Sequence, residues 1–184
     1  PSLLALEQAG LLEALPILAP KLAAWQRDLI ALASPGRAVT EIDAPLVRLK
    51  RAAFATSMDH FLHHPNGLLS DLAARVLARA PAGAGHRRVY LSRRGQSMRV
   101  MVGEAAFEKA LSARGFAIVR PETLDAAQQV ALMRDAEVVV GASGAALANA
   151  VFLSRGARVV EIQPLNFTSQ WVRAACRQVG VDWR

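Results

Sequence analysis

Apolar positions along the chain fall into two kinds of block: short continuous runs, and longer stretches in which they recur at helical spacing. The most regular blocks fill the second half. Val89-Tyr90-Leu91-Ser92, Phe116 to Val119, Val138-Val139-Val140 and Arg158 to Ile162 are short and continuously apolar, which predicts buried strands. Between and after them, Glu104 to Arg114, Leu124 to Asp135, Ala145 to Leu153 and Ser169 to Val179 read as helices, with Gly115, Gly156 and Gly180 near their ends as stops. Four strands alternating with helices predict a parallel, doubly wound α/β sheet, whose ligands bind beyond the carboxyl ends of the strands.

The first half is less regular. Leu3 to Leu12 suggests a helix tail stopped at Gly10, and Pro16 to Pro20 a short strand bracketed by prolines. Lys21 to Ala33 reads as a helix with Leu22, Trp25, Leu29 and Leu32 on a buried face, and Ala38 to Ile42 as a second strand. Leu46 to Leu49 and Ala52 to Thr56 are read as further extended pieces. Leu68 to Ala80 is amphipathic, with Leu69, Leu72, Val76 and Leu77 inward and Asp71, Arg75 and Arg79 outward. Pro81-Ala82-Gly83-Ala84-Gly85 then breaks the pattern and divides the chain into a first unit, 1–80, and a second, 81–184.

Composition narrows the picture. Apolar residues make up 53% of the chain and aromatics 5%, so the core must be built from Ala, Leu and Val. No apolar run reaches the roughly 20 residues that span a bilayer. The single cysteine, Cys176, has no partner for an internal disulfide and no zinc-type spacing around it, which points to a reducing, cytoplasmic compartment. A net charge of +7, carried mostly by arginine, favours an acidic partner such as a phosphorylated small molecule or a membrane surface. Nucleic acid is not expected, because no aromatic residues interleave with the basic ones as a stacking platform requires. The start, Pro1-Ser2-Leu3-Leu4, has neither an initiator Met nor a basic leader, and reads as a piece of a longer chain.

Candidate chemistry gathers at three strand ends, whose loops are expected to converge on one crevice. Gly141-Ala142-Ser143-Gly144-Ala145 follows the valine run and opens a helix, whose unpaired amides and dipole would suit a phosphate; the same glycines would also serve a tight turn with no ligand. Ser92-Arg93-Arg94-Gly95 follows the first strand of the second unit, and Gln163-Pro164-Leu165-Asn166 follows Glu161. An arginine beside a glycine-opened helix supplies a charged fork together with neutral donors, which is what a diphosphate needs. Arg93 is the first candidate, with Arg94 and Arg99 beside it. Glu161 could accept ribose hydroxyls, cap the next helix or pair with an arginine. No Gly-x-Gly-x-x-Gly follows the first strand, which argues against a dehydrogenase-type fold. His60, His63 and His64 lie together before Pro65-Asn66-Gly67. With only Asp59 nearby they read as a cleft-mouth loop, and no metal site or cofactor is assigned.

Taken together, Val89-Tyr90-Leu91-Ser92-Arg93-Arg94, Arg99, Glu104, Gly115-Phe116, Gly141 through Asn149 and Val159-Val160-Glu161-Ile162 resemble glycosyltransferase family 61. That family includes bacterial capsular-polysaccharide biosynthesis proteins and eukaryotic xylosyl- and N-acetylglucosaminyltransferases. The resemblance is closest from about Arg88 to Pro164 and is less specific over Leu4 to Ala80. It implies a GT-B arrangement, with a partial N-terminal α/β domain on the acceptor side and a Rossmann-like C-terminal domain binding a nucleotide-sugar donor. It also implies inverting, metal-independent transfer to a polysaccharide or glycolipid acceptor, in the cytoplasm at the inner face of the membrane. The sequence has no Asp-x-Asp pair.

The donor-binding residues so implied are Ser92, Arg93, Arg94, Arg99, Gly141, Ser143, Gly144, Ala145, Asn149 and Glu161. Ser143 stands where the family usually has His, and Ala148 where it usually has Thr. Serine can cap a helix or bond a phosphate but cannot act as an imidazole, which keeps a non-catalytic nucleotide or nucleotide-sugar binding module as the alternative. The catalytic base is unassigned; it lies upstream of Pro1 or near Asp59 and His60.

Overall fold

Every strand expected in the second half forms, and a fifth joins them. A computed structural model describes residues 2–11, 15–55, 67–97, 100–166 and 168–184. Asp59, His60, His63, His64 and Arg99 lie outside the described residues. In chain order the elements are α1 (Ser2–Gln8), β1 (Ile17–Pro20), α2 (Ala24–Ala33), β2 (Val39–Ile42) and α3 (Gly67–Leu77), followed by β3 (Arg88–Leu91), α4 (Glu104–Ser112) and β4 (Ala117–Val119). Then come α5 (Ala126–Asp135), β5 (Val138–Ala142), a 3-10 helix (Ala145–Phe152), β6 (Arg158–Ile162), α6 (Trp171–Val179) and β7 (Asp182–Trp183).

β1 and β2 pair in parallel as a small sheet of their own, and the remaining strands form a parallel sheet of order β4-β3-β5-β6-β7. Its register sets Leu91 beside Gly141 and Gly141 beside Glu161, so these three residues run across the sheet on one face. Side-chain alternation then sorts the layers. Val89, Leu91, Val139 and Val159 point into one apolar cluster with Ala33 of α2, Ala73 and Val76 of α3, Val130 and Met133 of α5, and Val172 and Cys176 of α6. Tyr90 and Ser92 point to the opposite face, which α4 covers: the Tyr90 and Phe107 rings meet edge to face at 5.4 Å. Apolar side chains from both halves of the chain therefore fill one core.

Local signals account for the helix ends. Asp125 accepts from the Gln128 amide at 2.7 Å while Gln128 accepts from the Asp125 amide at 3.0 Å, a reciprocal cap that starts α5. Gly180 takes φ 75°, and the Val181 amide reaches back to the Cys176 carbonyl at 2.9 Å, closing α6 in a left-handed turn that disfavours a side chain.

Three expectations are corrected. Leu46 to Leu49 forms no strand, and Leu46 is 89% exposed; its β-like composition has no neighbouring strand to bond. Ala52 to Ala55 likewise carries no regular structure. Trp25, expected in the core, is 55% exposed, because α2 starts only at Ala24 and meets the core through Leu29, Leu32 and Ala33 near its other end.

Cys176 is fully buried. Burial, reinforced by the charge of Glu161, pushes its thiol up to about 12. The folded value lies above the unfolded one, so the thiol's contribution to stability is complete below about pH 9 and is lost as pH rises through 9 toward 12. Burial and the bond to Glu104 also push the Tyr90 hydroxyl upward, in the same direction. The urea midpoint is expected to fall across that window, and Cys176 is expected to resist a thiol reagent at pH 8 until urea unfolds the chain. Rapid labelling of the native protein would contradict this.

Candidate functional site

In the order β4-β3-β5-β6-β7, the chain runs from β3 outward to β4 and then crosses back to β5 on the other side of β3. The connections on either side of that reversal lie on opposite faces: α4 covers one, and α5 packs into the cluster on the other. A crevice is left beyond the carboxyl ends of β3 and β5, where open α/β sheets bind ligands. The two loops that leave it are Ser92-Arg93-Arg94-Gly95 and Ser143-Gly144. The reversal, which the sequence did not disclose, therefore brings two of the three expected loops to one place. A separate cavity of about 560 Å³, lined by Asp135, Glu137, Arg155 and Arg158, lies at the amino ends of β5 and β6, the wrong end for such a ligand.

Arg93 spans the crevice. A Cβ added to Gly144 would sit 2.7 Å from Arg93 Nη1, so the guanidinium lies directly over the glycine backbone. Gly144 has φ 168°, an extended conformation open to any residue; glycine matters here for room. Gly141 is also tight: its Cβ would come 3.3 Å from Leu91 Cβ and from Leu147 Cδ2. Ser143 is 4% exposed, and its amide donates to the Ile162 carbonyl at 2.9 Å, tying the loop to β6.

The helix expected after Gly144 is a 3-10 helix, in which the Leu147 amide bonds the Gly144 carbonyl at 3.0 Å. With i to i−3 bonding only the first amides, those of Ala145 and Ala146, fall outside the ladder, so fewer amides are left open at this end than an α-helix would give. Ala145 is exposed at this end.

Two acids of α4 hold the Arg93 loop from below. Glu104 Oε1 accepts from the Tyr90 hydroxyl at 2.8 Å and from the Arg93 amide at 2.7 Å. Glu108 Oε1 accepts from Ser92 Oγ at 2.5 Å, and Ser92 Oγ in turn accepts from the Arg94 amide at 3.1 Å. The exposed Arg94 guanidinium pairs with Glu108 Oε2 at 3.2 Å. Both acids are buried, so each is an expensive group retained with its partners in place. Sequence reading missed Glu108 and the role of Glu104, because acids four apart on a helix resemble a solvated face. The available signal was Phe107 between them and the alternation of Tyr90 with Ser92.

The other expected residues sit differently. Asn149 donates to Gln129 Oε1 at 2.7 Å, and Gln129 donates to the Pro121 and Leu124 carbonyls, so Asn149 anchors the 3-10 helix to the start of α5. Glu161 is 8% exposed; its Oε2 accepts from Trp183 Nε1 at 2.9 Å and from Gln163 Nε2 at 3.1 Å. Its Oε1 is buried with no hydrogen-bond partner among the described residues. Gln163 also donates to the Ser169 carbonyl at 2.8 Å, pinning the third loop to the approach of α6. No group of three or more His, Cys, Asp or Glu side chains suited to a metal ion occurs among the described residues, and no helix among them is long and apolar enough to cross a membrane.

A family model described as Glycosyltransferase 61 matches residues 8–160, a span that includes the small sheet, the β3 and β5 loops and most of β6. No curated protein matches the chain.

Proposed function

The chain belongs to glycosyltransferase family 61, and on that premise we propose that the crevice between β3 and β5 holds the diphosphate of a nucleotide-sugar donor. The observation that carries the proposal is the Arg93 guanidinium lying over the Gly144 backbone at the sheet's reversal point. A fork of charged donors beside the Ala145 and Ala146 amides matches the oxygens of a diphosphate. Arg94, released from Glu108 or shared with it, adds positive charge from the same loop. Ser143 lines the loop, and Glu161, near the end of β6, is the acid we assign to a ribose hydroxyl.

The reaction we propose is inverting and metal-independent. A base removes the proton of an acceptor hydroxyl, and that oxygen attacks the anomeric carbon from the side opposite the diphosphate. The bond from that carbon to the phosphate oxygen breaks, and its electron pair leaves with the nucleoside diphosphate. Arg93 and the loop amides stabilise the charge that develops there, the role that preorganised donors play in acyl and phosphoryl transfer. The acceptor is a polysaccharide or glycolipid hydroxyl, presented at the inner face of the membrane. The residues belong to a two-domain GT-B arrangement in which 81–184 is the donor side.

The buried Ser143 favours a second reading. Where the family usually carries an imidazole this chain has a hydroxyl, so the crevice would hold the donor without turning it over. Calorimetric titration with UDP-, GDP- and CMP-sugars, followed by a transfer and hydrolysis assay, separates the two: binding with turnover supports the enzyme, binding without turnover the module. Gly144→Ala is the accompanying control. Its methyl displaces the Arg93 guanidinium without straining the backbone, so donor affinity should fall about tenfold or more, the cost of one charge-assisted hydrogen bond, at near-constant stability. Unchanged affinity in Gly144→Ala would remove Arg93 from the donor site.

A further inference from the structure

The stretch leaving β2 presents an unusual surface. Residues 43–52 are exposed without interruption and carry no regular hydrogen-bonded structure. Leu46 is 89% and Phe54 81% exposed, with Val47 and Leu49 also uncovered. Arg48, Lys50 and Arg51 interleave with them, and from Ala44 to Ala55 there is no acid. None of the three cations makes an ion pair with a described residue.

A second feature lies at the same end of the small sheet. β1 and β2 are parallel and in register, with Pro20 opposite Ile42, so the segments that follow them start side by side. The Leu22 amide and the Arg27 side chain both reach Glu41 Oε2, at 3.3 Å and 3.1 Å, which fixes the first turns of α2 against the end of β2. That juxtaposition places the exposed Trp25 and Lys21 beside the start of the 43–55 segment. Asp28 and Asp43 are the other acids nearby, and Asp28 acts on Arg27 through its charge.

We propose that Lys21, Trp25 and the Leu46 to Phe54 stretch form a docking surface for a membrane carrying anionic lipid headgroups. Aliphatic and aromatic side chains alternate here with cations on an exposed, irregular backbone. They suit a fluid layer whose headgroups adjust to the charges and whose hydrocarbon boundary accepts the apolar side chains. Tryptophan fits the same boundary, with an apolar body and a polar edge. The inference deepens the membrane part of the proposed function by naming the surface that meets the bilayer. Donor binding is measured without lipid, so the two readings fail separately.

Flotation with vesicles of phosphatidylcholine and phosphatidylglycerol tests it, against vesicles of phosphatidylcholine alone. The protein should float with the anionic vesicles, weakly with the neutral ones, and lose binding as salt rises. Arg48→Ser/Lys50→Ser/Arg51→Ser should weaken binding about a hundredfold, from about 1 kcal/mol per surface cation. Leu46→Ser/Phe54→Ser should weaken it by about tenfold or more. These residues are exposed, so both variants should melt like the parent, and both should bind donor normally. Failure to float, or flotation unchanged in both variants, overturns the proposal. So does a change in sedimentation coefficient caused by the same substitutions, since the patch would then seat a second copy.

Discussion

Replacing Arg93 by alanine should lower donor affinity by about 10–10²-fold, the cost of a charge-assisted hydrogen bond, and the specificity constant for transfer, where turnover is measurable, by about 10²–10³-fold, the usual cost of removing one preorganised donor from a developing oxyanion. The melting temperature should hardly move. Arg93 sits on a loop, half-buried, with its guanidinium over a glycine rather than in the core, while its backbone amide, held by Glu104, survives the substitution. Arg93→Lys should recover only part of the loss, because a single ammonium cannot reproduce two parallel bonds from a planar fork. Titration with a nucleoside diphosphate isolates the binding part from the sugar. If Arg93→Ala binds it as tightly as the parent, the crevice between β3 and β5 is not the diphosphate site.

That crevice was only half legible in the sequence. Runs such as Val138-Val139-Val140 announce buried strands, and the residues that follow them announce turns, so both loops could be named in advance. Their convergence on one crevice followed from the strand-helix alternation; which strands are neighbours did not, because nothing in the chain states that β4 lies outside β3 while β5 returns to its other side. β7 went unread for a different reason: two residues, Asp182 and Trp183, carry no periodicity, and they form a strand only because β6 offers an open edge. The stretch Leu46 to Leu49 fails in the opposite sense, with strand composition but no partner edge. Asn149 shows the limit of reading a motif by position alone. It falls in the loop-and-helix segment with Ser143 and Gly144, yet its side chain is turned to Gln129.

Glu104 joins the stability of the sheet to the geometry of the Arg93 loop, so Glu104→Ala should damage both. The substitution removes the carboxylate partner from the Tyr90 hydroxyl, on a residue with no exposed surface, and from the Arg93 amide. The distant Met101 sulfur, 3.6 Å from that hydroxyl, is a weak replacement. Each buried group left unsatisfied costs about 1–3 kcal/mol, so a loss of about 3–5 kcal/mol is expected. For a chain of this size that corresponds to a fall in melting temperature of about 10 °C.

Tyr90→Phe separates the two effects. It removes one hydroxyl and leaves the bond from Glu104 to the Arg93 amide intact, so it should cost about 1 kcal/mol and leave donor affinity unchanged. Adding Tyr90→Phe to Glu104→Ala should restore part of the lost stability, since no hydroxyl is then stranded, but none of the lost affinity, since the loop amide still has no acceptor. Thermal melts and donor titrations on the three variants read the outcome directly. If Glu104→Ala binds donor as the parent does while melting lower, the carboxylate supports Tyr90 alone, and the position of Arg93 is set by Ser92 and Glu108 instead.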